Sequence, residues 1–329
     1  KKDIWVTNRD QKGQWTTPKN LGAQINTTED DNAPFIHANG HTLFYASNGL
    51  PGMGGYDIYS TQRIDSSWSN PVNIGYPINT ISDQVGLFIT SDNKTAYYTD
   101  DNRGKKQGRA LLYTFEVPQS LRDQITPTRY AKGVVLDKIT RQPLSATIEL
   151  YDLQTQSKVG EYASDPSTGT FLAVLNAGSA YAFYVTKAGY LFKSLSFSMN
   201  DQSTSVKLDI PLEVIQKDKI EILNNIFFNT AEFALDDKSK VELHKLVLFL
   251  AQNKSVKIEI SGHTDDVGSD QENLILSKKR ATSVQNYLIH SGISPDRITA
   301  VGHGKNKPVV INDSDENRQK NRRIEWRIL

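Results

Sequence analysis

Ile258-Glu259-Ile260-Ser261-Gly262-His263-Thr264-Asp265, followed by Asn273, Leu276-Ser277 and Arg280-Ala281, is the stretch from which the fold of this chain can be read. Val256, Ile258 and Ile260 alternate with Lys257 and Glu259, the period-two pattern of a half-buried strand, predicted over Val256 to Ile260. A polar turn follows from Ser261 to Asp270. Leu274, Ser277, Ala281, Val284 and Leu288 then recur at steps of three and four, which predicts a helix with one buried stripe. Asp265 stands at the end of the strand. Arg280 lies beside the stripe, 15 residues on (280 − 265). One acid and one base therefore border a single strand-to-helix turn.

The pattern extends to both sides. Ile220 to Phe228 reads as a strand, and Asp236 or Asp237 can cap a helix that turns Leu243, Leu246, Val247 and Leu250 inward. A third strand is predicted over Arg297 to Val301, a short helix near Asp315 to Lys320, and a last strand over Ile324 to Leu329. The order βαβαββ suits a mixed sheet covered by helices, an α+β fold. The ordered series Ile260-Ser261-Gly262-His263-Thr264-Asp265, Gly268, Asn273, Leu276-Ser277, Arg280-Ala281, Gly292, Arg297, Gly302-His303-Gly304, Pro308 and Asn321-Arg322-Arg323-Ile324-Glu325 resembles the OmpA-like C-terminal domain. That family is the peptidoglycan-binding module of outer-membrane proteins and peptidoglycan-associated lipoproteins. The resemblance assigns residues 213–329 to this domain and implies that Asp265 and Arg280 grip the diaminopimelate side chain of the wall's stem peptide. It also implies supporting roles for Asn273, Thr264 and Leu276, and for Arg322 and Arg323 at the ligand's carboxylates.

The chemistry is consistent with that assignment. The end of a diaminopimelate side chain carries an ammonium and a carboxylate on one carbon. A carboxylate accepts from the first, and a guanidinium holds the second bidentately. Plainer roles stand beside each of these. Asp265 and Arg280 can bridge each other, Asp265 can cap a turn, Asn273 can hold the turn, and Arg323 can tie the last strand to an acidic neighbour.

The 329 residues include 23% charged residues, a net charge of +1 and no cysteine. That length allows two or three domains, and the near-neutral balance gives no argument for nucleic acid. Disulfides, zinc thiolates and cysteine nucleophiles are excluded. No apolar run approaches the roughly 20 residues of a membrane-spanning helix. The chain opens on Lys1-Lys2-Asp3 without Met or a signal peptide, so it reads as cropped, with any lipid-anchoring cysteine upstream.

Residues 1–118 contain a repeat. Pro18-Lys19-Asn20-Leu21-Gly22 recurs as Pro71-Val72-Asn73-Ile74-Gly75, Ile25-Asn26-Thr27 as Ile78-Asn79-Thr80, Phe35 as Phe88 and Tyr45 as Tyr98, all at an offset of 53. Short alternating strands with turn signals at such a period read as β-propeller blades, and they resemble the TolB/WD-like repeats. Two visible blades cannot close a ring, so further blades are expected upstream. The recurring Trp5, Trp15, Tyr45, Tyr59, Trp68 and Tyr98 are read as blade packing rather than a sugar-stacking surface. The basic run Arg103-Gly104-Lys105-Lys106 with Arg109 is read as a solvated hairpin loop.

Residues 119–212 change to a compact all-β pattern. Gly133 to Asp137, Pro143 to Tyr151 and Gly178 to Val185 supply strands that resemble the carboxypeptidase-regulatory-like, transthyretin-like β-sandwich. A spacer or interaction surface is implied. The domain order resembles envelope lipoproteins of type IX secretion.

No set of nucleophile, base and orienting group emerges. His263, Asp265, Asp266 and His303 lack the tight spacing of a zinc site, and Asn312 to Glu316 lacks the Gly and terminal Glu of a calcium loop. No cofactor or metal is implied. The resemblance implies a non-catalytic periplasmic tether associated with the outer membrane. It would hold peptidoglycan through residues 213–329 and meet envelope or secretion proteins through the propeller and sandwich. A propeller-based scaffold for protein or glycan is the alternative, followed by a wall-processing enzyme.

Overall fold

The structure, a computed structural model, describes residues 1–8, 14–101, 110–199, 205–228 and 232–329. The basic run from Arg103 to Arg109 lies outside them. Two compact units are present, one formed by residues 1–129 with 174–177 and the other by 130–173 with 178–329.

The first unit is built from short antiparallel strands: β1 (Trp5–Val6), β2 (Lys19–Asn20), β3 (Asp31–Ile36), β4 (Thr42–Ser47), β5 (Asp57–Ile64), β6 (Ser67–Trp68), β7 (Val72–Asn73), β8 (Asp83–Ile89), β9 (Thr95–Asp101) and β10 (Ala110–Glu116). β1 pairs with β2, β3 to β6 form one sheet with β7 against β5, and β8 to β10 form another. A short helix, α1 (Gln119–Arg122), follows. The sequence repeat is also a repeat of hydrogen bonds. Ile4 N donates to Asn26 Oδ1 and Asn26 Nδ2 donates back to Ile4 O, while Asn79 makes the same two bonds to Ile58. Each buried amide takes the place of a missing strand neighbour, because buried backbone N–H and C=O groups need partners. Asn20 and Asn73 each accept from the paired asparagine and from the glycine two residues on. The aromatics divide: Tyr45 and Tyr59 are buried and packed together, whereas Trp5 is 56% and Trp15 64% exposed. Trp5 stands on β1, which among the described residues pairs only with β2, in a two-residue ladder.

The second unit starts with β11 (Thr128–Asp137), β12 (Thr147–Asp152), β13 (Lys158–Ala163), β14 (Thr170–Asn176), β15 (Ala180–Thr186), β16 (Lys193–Ser198) and β17 (Ser205–Leu212). They make sheets of order β14-β11-β17 and β13-β12-β15-β16. Phe171 meets Phe183 edge-on at 5.9 Å between the sheets. The chain continues through β18 (Ile220–Leu223), α2 (Lys240–Gln252), β19 (Ile258–Gly262), α3 (Asp270–His290), β20 (Ile298–Gly302), α4 (Asp315–Asn321) and β21 (Ile324–Ile328). The mixed sheet has the order β18-β21-β19-β20, with β19 parallel to β20 and antiparallel to β21.

Alternation puts Ile258 and Ile260 of β19 and Ile324, Trp326 and Ile328 of β21 on the face that meets Leu243, Leu246 and Leu250 of α2 and Ala281, Val284 and Leu288 of α3. Leu191 and Phe192, which lead into β16, complete this core. The Phe192 ring stacks on Trp326 at 5.5 Å. The joint from Glu213 to Lys219 is held in place: Leu191 N donates to Glu213 O and Ile215 N to Gly189 O.

Four predicted details differ. β19 lies two residues later than Val256 to Ile260, ending on Gly262. β18 stops at Leu223 rather than Phe228, because Asn224 and Asn225 turn their amides to Ser194 and Glu242. In α3 Leu274 is 47% exposed, and Asn273 occupies the inward position. The two series share Ser277, Ala281, Val284 and Leu288, so period alone could not choose between them. Asn273 turns inward because its amide holds Val267 O. Finally, the Asp236 side chain caps a 3-10 turn over Asp237–Ser239 that precedes α2, rather than α2 itself.

Candidate functional site

Two glycines set the site. A Cβ on Gly262 would lie 2.2 Å from Ser277 O, and one on Gly302 would lie 2.4 Å from Lys278 N. The C-terminal ends of β19 and β20 therefore approach the α3 backbone directly, which only glycine permits. Ser277 Oγ accepts from Gly304 N at 2.9 Å, and Thr264 N donates to Gly304 O. The chain leaving β19 is pinned against the first turns of α3. Ser269 caps that helix in a reciprocal arrangement with Glu272.

This packing leaves a cleft of about 520 Å³. Thr264, Asp265, Asn273, Leu276, Arg280 and Arg322 border it, together with Ile226, Phe227, Phe228, Val267 and Gln319. Six of the seven residues expected at the site thus meet in one place. Asp265 and Arg280 are each only 7% exposed. Asp265 Oδ1 accepts from Val267 N at 3.2 Å and Oδ2 accepts from Arg322 Nη1 at 2.5 Å. Arg280 Nε donates to Glu232 O at 2.9 Å, and its guanidinium stands 4.9 Å from the centre of the Phe228 ring. The acid is therefore paired with Arg322 rather than with Arg280. Burial, then the Arg322 charge, pushes the Arg280 guanidinium below its ordinary range, against the pull of Asp265. Asp265, Arg280 and Arg322 thus border one cleft, an acid with two bases.

Arg322 is positioned by its neighbour. Asn321 Oδ1 accepts from Val309 N and Val310 N, and Nδ2 donates to Val310 O and Asn312 Oδ1. Arg318 at 2.9 Å from Asp266 ties α4 to the turn after β19. Gln319 Oε1 accepts from Arg322 Nε, fixing the guanidinium further.

Arg323 is the exception among the expected residues. Its side chain turns away to Glu325 Oε1 at 2.6 Å and Lys307 O at 3.0 Å. Between the end of α4 and the start of β21 the two side chains part, Arg322 to Asp265 and Arg323 to Glu325. Asn273 is committed to the turn through Val267 O while still lining the cleft. Phe228 was missed because the run Ile226-Phe227-Phe228 reads as strand; its cue was an aromatic pair directly before a polar break. His263 and His303 lie with ring centres 5.1 Å apart. Among the described residues no group of three or more His, Asp or Glu is arranged to hold a metal.

Residues 227–322 match the model of the OmpA family. The chain is 32% identical over 149 residues to a peptidoglycan-associated lipoprotein of Buchnera aphidicola, spanning 45% of this chain and 80% of that protein. It is 36% identical over 112 residues to outer membrane porin F of Pseudomonas fluorescens, and spans only 34% of that protein's length. A crystal structure of the peptidoglycan-associated lipoprotein from Burkholderia pseudomallei aligns at 28% identity. The alignment covers 32% of this chain and 88% of that one, with a TM-score of 0.30.

Proposed function

The chain belongs to the OmpA family through its C-terminal region, and from that premise we propose that it is a non-catalytic tether that binds peptidoglycan in the periplasm. The observation that carries the reading is the cleft in which Asp265, Arg280 and Arg322 converge. In this reading the ligand is the diaminopimelate of a stem peptide. Its side-chain carboxylate lies on Arg280 and its ammonium reaches Asp265. Arg322 balances Asp265 in the free protein and turns to a peptide carboxylate in the complex. Two charge-assisted hydrogen bonds at about 1.5–3 kcal/mol each suit micromolar binding of one peptide after association costs. Repeated sites along the wall polymer add avidity.

The rest of the chain is read in three parts, with propeller blades over 1–118, a transthyretin-like sandwich over 119–212 and the wall-binding domain over 213–329. An outer-membrane association and partners among envelope or type IX secretion proteins belong to the same proposal. The exposed Trp5 and Trp15 favour a second role for the first unit as a docking surface for protein or glycan. Co-sedimentation of the full chain with purified peptidoglycan tests the tether. The parent chain is expected to pellet with the wall, and Arg280→Ala to lose at least about tenfold in affinity. Release of soluble fragments would replace the tether by a wall-processing enzyme.

A further inference from the structure

The side of the cleft formed by Ile226 to Phe228 is the direct continuation of two asparagines that are bound to the sandwich. Asn224 Nδ2 donates to Ser194 O at 2.7 Å, and Asn225 Nδ2 donates to Glu242 Oε2 at 2.8 Å. Ser194, on β16, donates from Oγ to Glu242 Oε1 at 2.6 Å. Glu242, on α2, is fully buried. Phe227 N then donates to Ser239 Oγ, and Phe228 lies against the Arg280 guanidinium. A chain of contacts runs from a strand of the sandwich through a buried carboxyl to the ring beside Arg280.

We propose that the sandwich is a positioning element of the wall-binding cleft: Ser194, Glu242 and Asn225 fix the segment that carries Phe228, and Phe228 orients Arg280. This rests on the reading of the cleft as the stem-peptide site. A buried carboxyl is a poor choice for a mere spacer contact, because an apolar pair of similar shape would hold two surfaces as well or better. Its use at the root of the Ile226–Phe228 segment makes sense if exact placement of that segment matters.

The surroundings of Glu242 bear on the test. From the sandwich it meets Ser194 and the Tyr184 hydroxyl. On its own helix Lys240 is paired with Asp237, and the ammonium of the buried Lys245 is committed to Glu149 of β12, which also receives Lys158 of β13. Lys193 of β16 is paired with Glu221 of β18 at 2.8 Å. No cation is therefore left to neutralise Glu242 among the described ion pairs. Burial pushes its carboxyl up to about 7, against the hydrogen bonds from Ser194, Asn225 and Tyr184. Raising the pH through that value charges the root of the cleft segment.

The experiment is calorimetric titration of the full chain with a meso-diaminopimelate stem peptide, below and above pH 7. Asn225→Ala and Ser194→Ala are each expected to bind about fivefold or more weakly with the circular dichroism of the parent. Should Asn225→Ala fail to fold, Ser194→Ala, altered only on the sandwich side, decides. The parent's affinity is expected to fall as pH rises through about 7, and Glu242→Gln to remove that fall. Parent-like binding by the folded variants, or the same pH profile in Glu242→Gln, overturns the positioning role. Arg280→Ala separates the two levels. If it binds like the parent, or if the parent does not bind, the cleft reading itself fails; if it alone loses binding, only the role of the sandwich does.

Discussion

Arg322 Nη1 donates to Asp265 Oδ2 at 2.5 Å, so the carboxylate proposed to receive the ligand's ammonium is already held by a cation. The bond orients a nearly buried carboxylate that borders the cleft. In the proposed reading, ligand binding is an exchange of partners rather than the burial of a new charge, which would reduce the desolvation penalty.

Asp265→Asn tests this exchange. The amide oxygen can still accept from Val267 N, so the turn should survive, but the attraction for an ammonium is gone. Stem-peptide affinity is expected to drop at least about tenfold, or about 1.4 kcal/mol, in a fluorescence anisotropy titration. Parent-like affinity would remove Asp265 from the site.

Phe228→Ala tests the platform beneath Arg280. A guanidinium over a partly desolvated ring gains about 0.5–2 kcal/mol, and the ring also restricts where Arg280 can point. Weaker binding by about that amount is expected, with little change in unfolding midpoint because Phe228 is only half-buried. A large loss of stability with unchanged affinity would assign Phe228 to the core instead.

Phe192→Ala tests whether the sandwich and the C-terminal sheet share a core. Phe192 is buried, stacks on Trp326 and touches Phe249. Truncation is expected to cost about 3–5 kcal/mol in denaturant unfolding of the full chain, followed by tryptophan fluorescence. A loss below about 1 kcal/mol would mean the contact is loose.

Glu325 carries a pH signature. Burial alone would raise its carboxyl, but His263 and Arg323 overcome this and hold it down at about 2. A folded-state value below the ordinary 4.5 contributes stability that is complete above 4.5 and is lost as pH falls towards about 2. The difference in Tm between the parent and Glu325→Gln is therefore expected to shrink as pH falls through this window. A constant difference would contradict the assignment.

Much of the C-terminal fold was legible because its strands alternate cleanly and its helices carry apolar stripes. Ile258 and Ile260 announced β19, and Val284 and Leu288 announced α3. The convergence of Asp265, Arg280 and Arg322 was legible only through the motif, since spacing cannot say which base meets an acid. What escaped were positions decided by tertiary hydrogen bonds. Asn224 and Asn225 end β18 because their partners lie on β16 and α2. Glu242 and Lys245 carried no signal in the sequence, yet both are buried, bonded to Ser194 and Glu149. For Arg323 the sequence left a ligand role and a tie to an acidic neighbour open, and its side chain makes the tie, to Glu325. In the first unit the 53-residue offset reflected real hydrogen-bond equivalence, from Asn26 to Asn79, while the exposure of Trp5 and Trp15 was not legible in the repeat.

The most direct measurement is calorimetric titration of the full chain with a meso-diaminopimelate stem peptide beside its lysine-containing analogue. Lysine lacks the side-chain carboxylate, so it leaves Arg280 without its ligand partner. At least about tenfold weaker binding of the lysine peptide is expected. Equal binding of the two would contradict the clamp formed by Asp265 and Arg280, and no binding of either would contradict the wall-binding cleft.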